Sequence, residues 1–237
     1  LILKTSKRQA QLEAYVEMYL KEEIHAEALV RNLPGFSRFL KVAGLFHGQI
    51  LNVETLARDA GVARTTIQGF LDILEDTLIA RRLPAFEGRL RVKEKRHPKL
   101  YWLDCGLVRA AKKHLGPVGA DERGPLFEGL IAQWLWSYRN LGWLDYDDLW
   151  YWGVGGTEQV EVDFLLERQS EFIAIEAKAV ERLRPEHFTG LKSIETLKGL
   201  QRRILVYLGH DKRLSDEIEI LPIKEFIQLI AQKRLFL

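Results

Sequence analysis

The chain has 237 residues, 47% of them apolar and 29% charged, with a formal net charge of +2 and a single cysteine. This composition excludes a disordered or collagen-like chain, and the longest apolar runs fall short of the roughly 20 residues a membrane span needs. Cys105 alone builds no disulfide framework and has no neighbours at metal-ligand spacing. It reads as a core residue of a cytoplasmic protein, and the opening residues show no charged-then-apolar leader pattern. The charge is uneven: Arg31 to Lys113 holds sixteen Lys/Arg against eight Asp/Glu, a balance of +8 that leaves −6 elsewhere. A basic block of this kind neutralises phosphates, forms a solvated surface or docks an acidic protein face.

Residues 9–30 repeat Leu12, Tyr15, Val16, Tyr19, Leu20 and Ile24 at three- and four-residue steps, with Glu13, Glu17, Lys21 and Glu22 opposite. This predicts an amphipathic strut. Asn32-Leu-Pro34-Gly35 ends it, and Phe36, Phe39, Leu40, Ala43, Leu45 and Phe46 predict a helix. Asn52 is a candidate N-cap for the next helix, Gly61 a left-handed stop, and Arg64 the start of a third helix running through Leu74. LARDAGVARTTIQGFLDILE has the small residue, glycine and apolar residue that a helix-turn-helix requires. LIARRLP and KLYWLD read as strands around a basic loop, so residues 31–115 are expected to form a winged helix-turn-helix domain. Arg64, Thr65 and Gln68 are the candidate base readers, and Arg89, Arg91, Lys93, Lys95 and Arg96 the candidate phosphate clamps. Packing against another domain is the alternative use of such a unit.

Residues 120–237 change pattern. An apolar helix is expected after Gly124-Pro125, then strands at 148–152, 159–166 and 171–178, a helix at 185–200, the strands RILVYL and IEIL, and a closing helix over 222–233. The clustered tryptophans Trp134, Trp136, Trp143, Trp150 and Trp152 read as core. Gly153 to Thr157 lacks the Lys-Ser/Thr of a phosphate loop and reads as a turn. In the second and third strands, Glu161 and Asp163 share one face, as do Glu176 and Lys178. An even turn at Arg168-Gln-Ser-Glu171 sets Asp163 opposite Glu176 and Glu161 opposite Lys178. Two facing carboxylates repel unless a divalent cation takes oxygens from both, and a neighbouring lysine orients a water or offsets phosphate charge. A structural ion-pair network is the other reading of the same residues. His187 follows this strand pair, as a surface histidine or a phosphate neighbour.

The segments RFLKVAGLFHGQILNVETLARDAGV, PKLYWLDCGL, LFEGLIAQWL, EVDFLLE and IEAKA resemble the C-terminal region of a family of prokaryotic AAA+ ATPases. That region, domain of unknown function 4143, is similar to PD-(D/E)XK nucleases. The resemblance spans nearly the whole chain. It implies an α+β chain in which an αβββαβ restriction-endonuclease-like domain follows the winged helix. It also places Glu128, Asp163, Glu176 and Lys178 at nuclease motif positions: Asp163 and Glu176 on Mg²⁺, Lys178 and Glu128 catalytic. Trp134 stands where a second acidic residue would be expected. No GxxxxGK[ST] occurs, so nucleotide binding is not assigned to these residues. The ATPase region becomes an expected partner, with residues 1–30 as its helix or linker. The expected function is a DNA-binding module in which the nuclease-like fold serves as scaffold. A Mg²⁺-dependent endonuclease and a protein-docking module are the alternatives, with no membrane partner and the oligomeric state open.

Overall fold

The computed structural model describes residues 8–19, 32–87, 95–155 and 160–236, arranged as an α+β chain. It gathers into two compact units, Leu1–Arg82 with Lys99–Gly129, and Leu83–Pro98 with Leu130–Leu237. The units therefore do not follow one cut in the sequence. The expected division placed all of 31–115 together and began the second domain at 120. In the structure, the segment 83–98 joins the second unit and the division falls inside a helix.

In the first unit, α1 (Arg8–Ala14) runs into a π-helical turn (Tyr15–Tyr19), so the strut expected over 9–30 is straight only at its start. Its continuation over 20–30 lies outside the described residues. Then come α2 (Leu33–Leu45), β1 (Gln49–Ile50), α3 (Val53–Ala60), α4 (Arg64–Asp76), β2 (Ala80–Leu83), β3 (Lys99–Trp102) and α5 (Cys105–Ala111). The caps follow the sequence signals. Asn32 accepts the Gly35 N–H at 3.0 Å, and Asn52 accepts the Thr55 N–H at 2.9 Å. Gly61 closes α3 at φ 63°, a left-handed conformation that costs glycine least. The apolar faces of α2, α3 and α4 meet around Phe36, Phe39 and Phe70, whose ring centroids lie 5.1–5.8 Å apart, with Leu40, Leu56, Ile67, Leu71 and Leu74 buried about them. Each such side chain contributes about 1.5–3 kcal/mol by leaving water. The three strands form a sheet in the order β1-β3-β2.

The helix α6 spans Ala120–Asn140, starting before Gly124-Pro125 rather than after it. Pro125 lies inside it, in the second turn, where the ring removes one i→i−4 hydrogen bond. The first turn is fastened through buried Glu122, which accepts from Arg109 Nε at 3.0 Å and Lys112 Nζ at 3.2 Å.

The second unit is built on a six-stranded sheet in the order β4-β5-β6-β7-β9-β8. Its strands are β4 (Asp148–Gly153), β5 (Glu161–Arg168), β6 (Glu171–Lys178), β7 (Leu200–Tyr207), β8 (Arg213–Ser215) and β9 (Ile218–Pro222). β4, β5 and β6 form an antiparallel meander, while β6, β7 and β9 run parallel. β8 was not expected; it pairs antiparallel with β9 as a short edge strand. The helix expected over 185–200 is a 3-10 turn (Pro185–Phe188) and the five-residue α7 (Thr189–Ser193). Past its C-cap at Ile194 the chain turns, and Gly199, at φ 86° and close against Ser170, leads into β7. A closing helix, α8 (Ile223–Ala231), follows β9. Trp152 and Trp136 are buried and Trp134 and Trp150 half-buried, but Trp143 is 45% exposed and stacks on Tyr138, so it is not core.

Pro84, Phe86 and Lys95 bond to the outer edge of β4. Phe86 N–H donates to Tyr151 O at 2.7 Å, Tyr151 N–H to Pro84 O at 2.9 Å, and Lys95 N–H to Gly153 O at 2.9 Å. The Phe86 ring packs edge-on against Phe172, centroids 5.3 Å apart. These bonds satisfy the exposed ladder groups of an edge strand, which is why the segment sides with the second unit.

Candidate functional site

The β5–β6 hairpin holds the residues with chemical potential. Gln169 and Ser170 both take positive φ, 52° and 65°, forming a two-residue turn. That even turn sets the register Arg168↔Glu171 through Phe164↔Ile175. The ladder stops there, one step short of Asp163 and Glu176, and the Asp163 carboxylate accepts the Ala177 N–H at 2.9 Å. Asp163 is 6% exposed and Glu176 5%. Lys178 Nζ lies 2.5 Å from Glu176 Oε1 and balances one of the two charges.

The β5–β6 ladder ends at Phe164↔Ile175, short of Glu161 and Lys178. The β4–β5 register shifts by one between Trp150 and Trp152, so Leu165 and Val162 enter the same apolar cluster despite their opposite parity. The strict alternation that would carry Glu161 to Lys178 is broken there. Glu161 stands opposite Gly153 and is ion-paired with Lys95.

α7 closes over this end of the strands. A Cβ on Gly190 would come within 1.7 Å of the Glu161 carbonyl oxygen and 3.5 Å of Glu176 Oε2, so only glycine permits the approach. One turn earlier, His187 Nδ1 accepts the Arg184 N–H at 3.1 Å. Burial, then the nearby Lys178 charge, holds the imidazole below its ordinary pKa.

The donor set suits a hard cation only in part. Each carboxylate of Asp163 and Glu176 has two oxygens, one engaged by Ala177 N–H or by Lys178. Among the described residues no three His, Cys, Asp or Glu gather as a metal cluster. Mg²⁺ is compatible with this, since it takes one or two carboxylates and fills its octahedron with carbonyl, water and phosphate oxygens.

Glu128 lies in the first unit, where it accepts from Lys99 Nζ at 3.0 Å and from the Tyr101 hydroxyl. Lys99 and Tyr101 are buried, two residues apart on β3. Neither was singled out from sequence. A lysine opening the apolar run KLYWL was the available signal, because a buried cation needs a partner. Arg64, Thr65 and Gln68 are exposed along the first turns of α4, with Arg64 3.5 Å from Glu54 and Gln68 3.4 Å from Asp72. Arg96 is exposed, 3.5 Å from Glu87, whereas Lys95 is half-buried on Glu161. Arg89, Arg91 and Lys93 lie outside the described residues. Cys105 is half-buried, its Sγ 3.3 Å from Leu126 O, and burial pushes its thiol up to about 11, which suits packing rather than nucleophilic work. Among the described residues no helix is long and apolar enough to cross a membrane.

A mixed sheet whose central hairpin buries two carboxylates beside a half-buried lysine thus forms the core of the second unit. Residues 123–226 match the family model described as Domain of unknown function (DUF4143), and residues 2–117 match Domain of unknown function (DUF8612). Two curated relatives, Uncharacterized protein Rv2008c of Mycobacterium tuberculosis and Uncharacterized protein Mb2031c of Mycobacterium bovis, are each 24% identical over 225 residues, covering 91% of this chain and 48% of theirs. The chain spans about half the length of the curated relatives it matches. The crystal structure of protein VC1899 from Vibrio cholerae aligns with 97% of this chain and 55% of its own at 14% identity and a TM-score of 0.33, too distant a likeness to transfer fold or function.

Proposed function

We propose that the chain is a DNA-binding module of a larger ATPase, composed of a winged-helix unit and a unit of PD-(D/E)XK nuclease-like fold. The observation that carries this reading is the exposed start of α4. Arg64, Thr65 and Gln68 face solvent on the second helix of a pair joined by three residues through Gly61. The order α2-β1-α3-α4-β2-β3, with a three-stranded sheet behind the helices, supports a winged helix, whose second helix enters the major groove. The balance of +8 over Arg31–Lys113 supplies phosphate attraction. The greater length of the curated relatives leaves room for an ATPase region beyond this chain.

The test is affinity for a duplex across a salt series. Log affinity should fall linearly with log salt. Replacing Arg89, Arg91, Lys93 and Arg96 by alanine should flatten the slope by up to about four phosphate contacts at roughly 0.9 each. Arg64→Ala should weaken binding to a preferred sequence more than to a random one. Binding that is absent, or indifferent to salt, would leave the protein-docking reading.

A second reading, a Mg²⁺-dependent endonuclease, is favoured by Asp163 and Glu176 lying buried across one hairpin beside Lys178. Asp163, Glu176 and the Ala177 carbonyl would hold the ion, which supplies Lewis-acid polarisation of a phosphodiester when bound. Lys178 would position the attacking water and offset the charge that develops on phosphate. Calorimetric titration with Mg²⁺ or Mn²⁺, followed by a cleavage panel of single- and double-stranded DNA, decides it. Asp163→Ala should abolish both signals. Intact DNA throughout would leave the fold as a scaffold.

A further inference from the structure

A glycine inside a helix is disfavoured, because it loses more chain freedom on folding than any other residue and has no side chain to pack. It is kept where something comes too close for a Cβ, or where the backbone needs it. Gly35, Gly44, Gly106, Gly129 and Gly190 are helical, and each has that reason inside the chain: a Cβ would meet another group at 3.0 Å or less. Gly124 has open space around it but precedes Pro125, whose ring restricts the residue before it. Gly69 has neither reason. It lies exposed in the middle of α4, Phe70 follows it, and a Cβ there would meet no atom of the described residues within 4 Å.

Thr65, Gly69, Asp72 and Asp76 recur at steps of four, three and four, so they form one stripe, and all four are exposed. Arg64 and Gln68 flank its N-terminal half. From Arg64 to Gly69 the helix carries one arginine and no carboxylate. The acidic residues Asp72, Glu75 and Asp76 lie further on, and Arg82 holds two of them, at 2.7 Å from Asp72 and in an ion pair with Glu75. With the balance of +8 over Arg31–Lys113, the half of α4 that holds Gly69 suits a polyanion and has no carboxylate of its own to repel one. The major groove is about 12 Å wide and a helix with its side chains about 10–12 Å across, so a bare stretch of backbone lets the helix sit deeper.

We propose that Gly69 is the point of closest approach between α4 and the major groove of duplex DNA, where the missing side chain lets its neighbours Thr65 and Gln68 reach base edges. This rests on the DNA-binding reading of the chain. A larger residue at this position holds the helix away from the base pairs, and binding falls back on phosphate contacts.

The experiment uses the full chain, as wild type, Gly69→Ala and Gly69→Leu. The probes are a duplex enriched from a random-sequence pool by binding to the wild type, and the unselected pool. Thermal melts are run beside the isotherms. Gly69→Ala should raise the melting temperature by about 2–4 °C, because alanine is the better helix former and meets nothing in the free protein. The same variant should lose about fivefold or more in affinity for the selected duplex, the cost of an overpacked contact, and Gly69→Leu should lose more. Affinity for the unselected pool, carried by phosphate contacts, should change less. A variant that melts higher and binds worse does not owe its loss to misfolding. Wild-type affinity in both variants overturns the groove contact and leaves the DNA-binding reading standing. A lower melting temperature for Gly69→Ala also overturns it, because the fold itself would then require the glycine. A wild type that binds neither probe overturns both.

Discussion

Asp163 accepts the Ala177 N–H at 2.9 Å at the point where the β5–β6 ladder has run out after Phe164 and Ile175. A side chain thus replaces the backbone carbonyl that a longer ladder would supply. Asp163→Ala should lower stability by about 1–3 kcal/mol, because a buried N–H loses its acceptor. Asp163→Asn keeps an acceptor and should cost clearly less. Urea unfolding of the two variants separates this structural part from any metal role, which both substitutions remove. Equal losses in the two would show that the bond to Ala177 contributes little.

The ion pair between Lys95 and Glu161 sorts the basic loop into two kinds of cation. Lys95 is half-buried and engaged, while Arg96 is exposed. Lys95→Ala should therefore destabilise the chain by about 1 kcal/mol or more, since it strips a partly buried carboxylate of a partner. Arg96→Ala should leave unfolding within about 0.5 kcal/mol and act only on the salt dependence of DNA binding. Thermal melts beside binding isotherms check both.

The turn at Gln169 and Ser170 places two non-glycine residues in the left-handed region. Asn-Gly fits such a turn better. The double variant Gln169→Asn, Ser170→Gly should gain about 1 kcal/mol, seen as a higher denaturant midpoint at an unchanged m-value. A loss of stability would mean that the side chains of Gln169 and Ser170 contribute more than the strain costs.

His47 gives the first unit a pH dependence. Burial, then the Lys112 charge, lowers its pKa to about 4, and its Nδ1 accepts the Trp102 N–H at 3.1 Å. The folded state binds the proton less tightly than the unfolded state, whose histidine titrates near 6.5. Stability from the neutral ring is complete above about pH 6.5 and fades as the pH falls towards about 4, by up to about 3 kcal/mol. Urea unfolding at stepped pH should show this slope, and His47→Gln should remove most of it. Gly129→Ala should destabilise at every pH, because its Cβ would meet His47 Nε2 at 2.2 Å.

Much of the hairpin was legible before any coordinates. Strand alternation and the length of the turn are local properties, and they set the register that carries Asp163 towards Glu176. The helix pair was legible for a similar reason: Asn52 and Gly61 act on the groups next to them. The ion pair of Glu161 with Lys95 was not legible, because alternation holds only while a strand is regular. The shift between Trp150 and Trp152 depends on how β4 meets β5, and no residue in β5 announces it. The close approach of Gly199 to Ser170 escaped for a like reason, since Ser170 belongs to a different loop.

What the sequence determined by itself was most of the longer elements, the caps at Asn32, Asn52 and Gly61, and the register across a two-residue turn. These are set by contacts between residues close in the chain, where few arrangements compete. The tertiary structure alone decided the long-range partners. It gave Lys95 to Glu161, Glu128 to Lys99 and Tyr101, and Pro84, Phe86 and Lys95 to the edge of β4. A cation or an open strand edge must be satisfied somewhere, and sequence states the demand. Which of many chemically equal groups meets it depends on which segments the packing of the cores brings together.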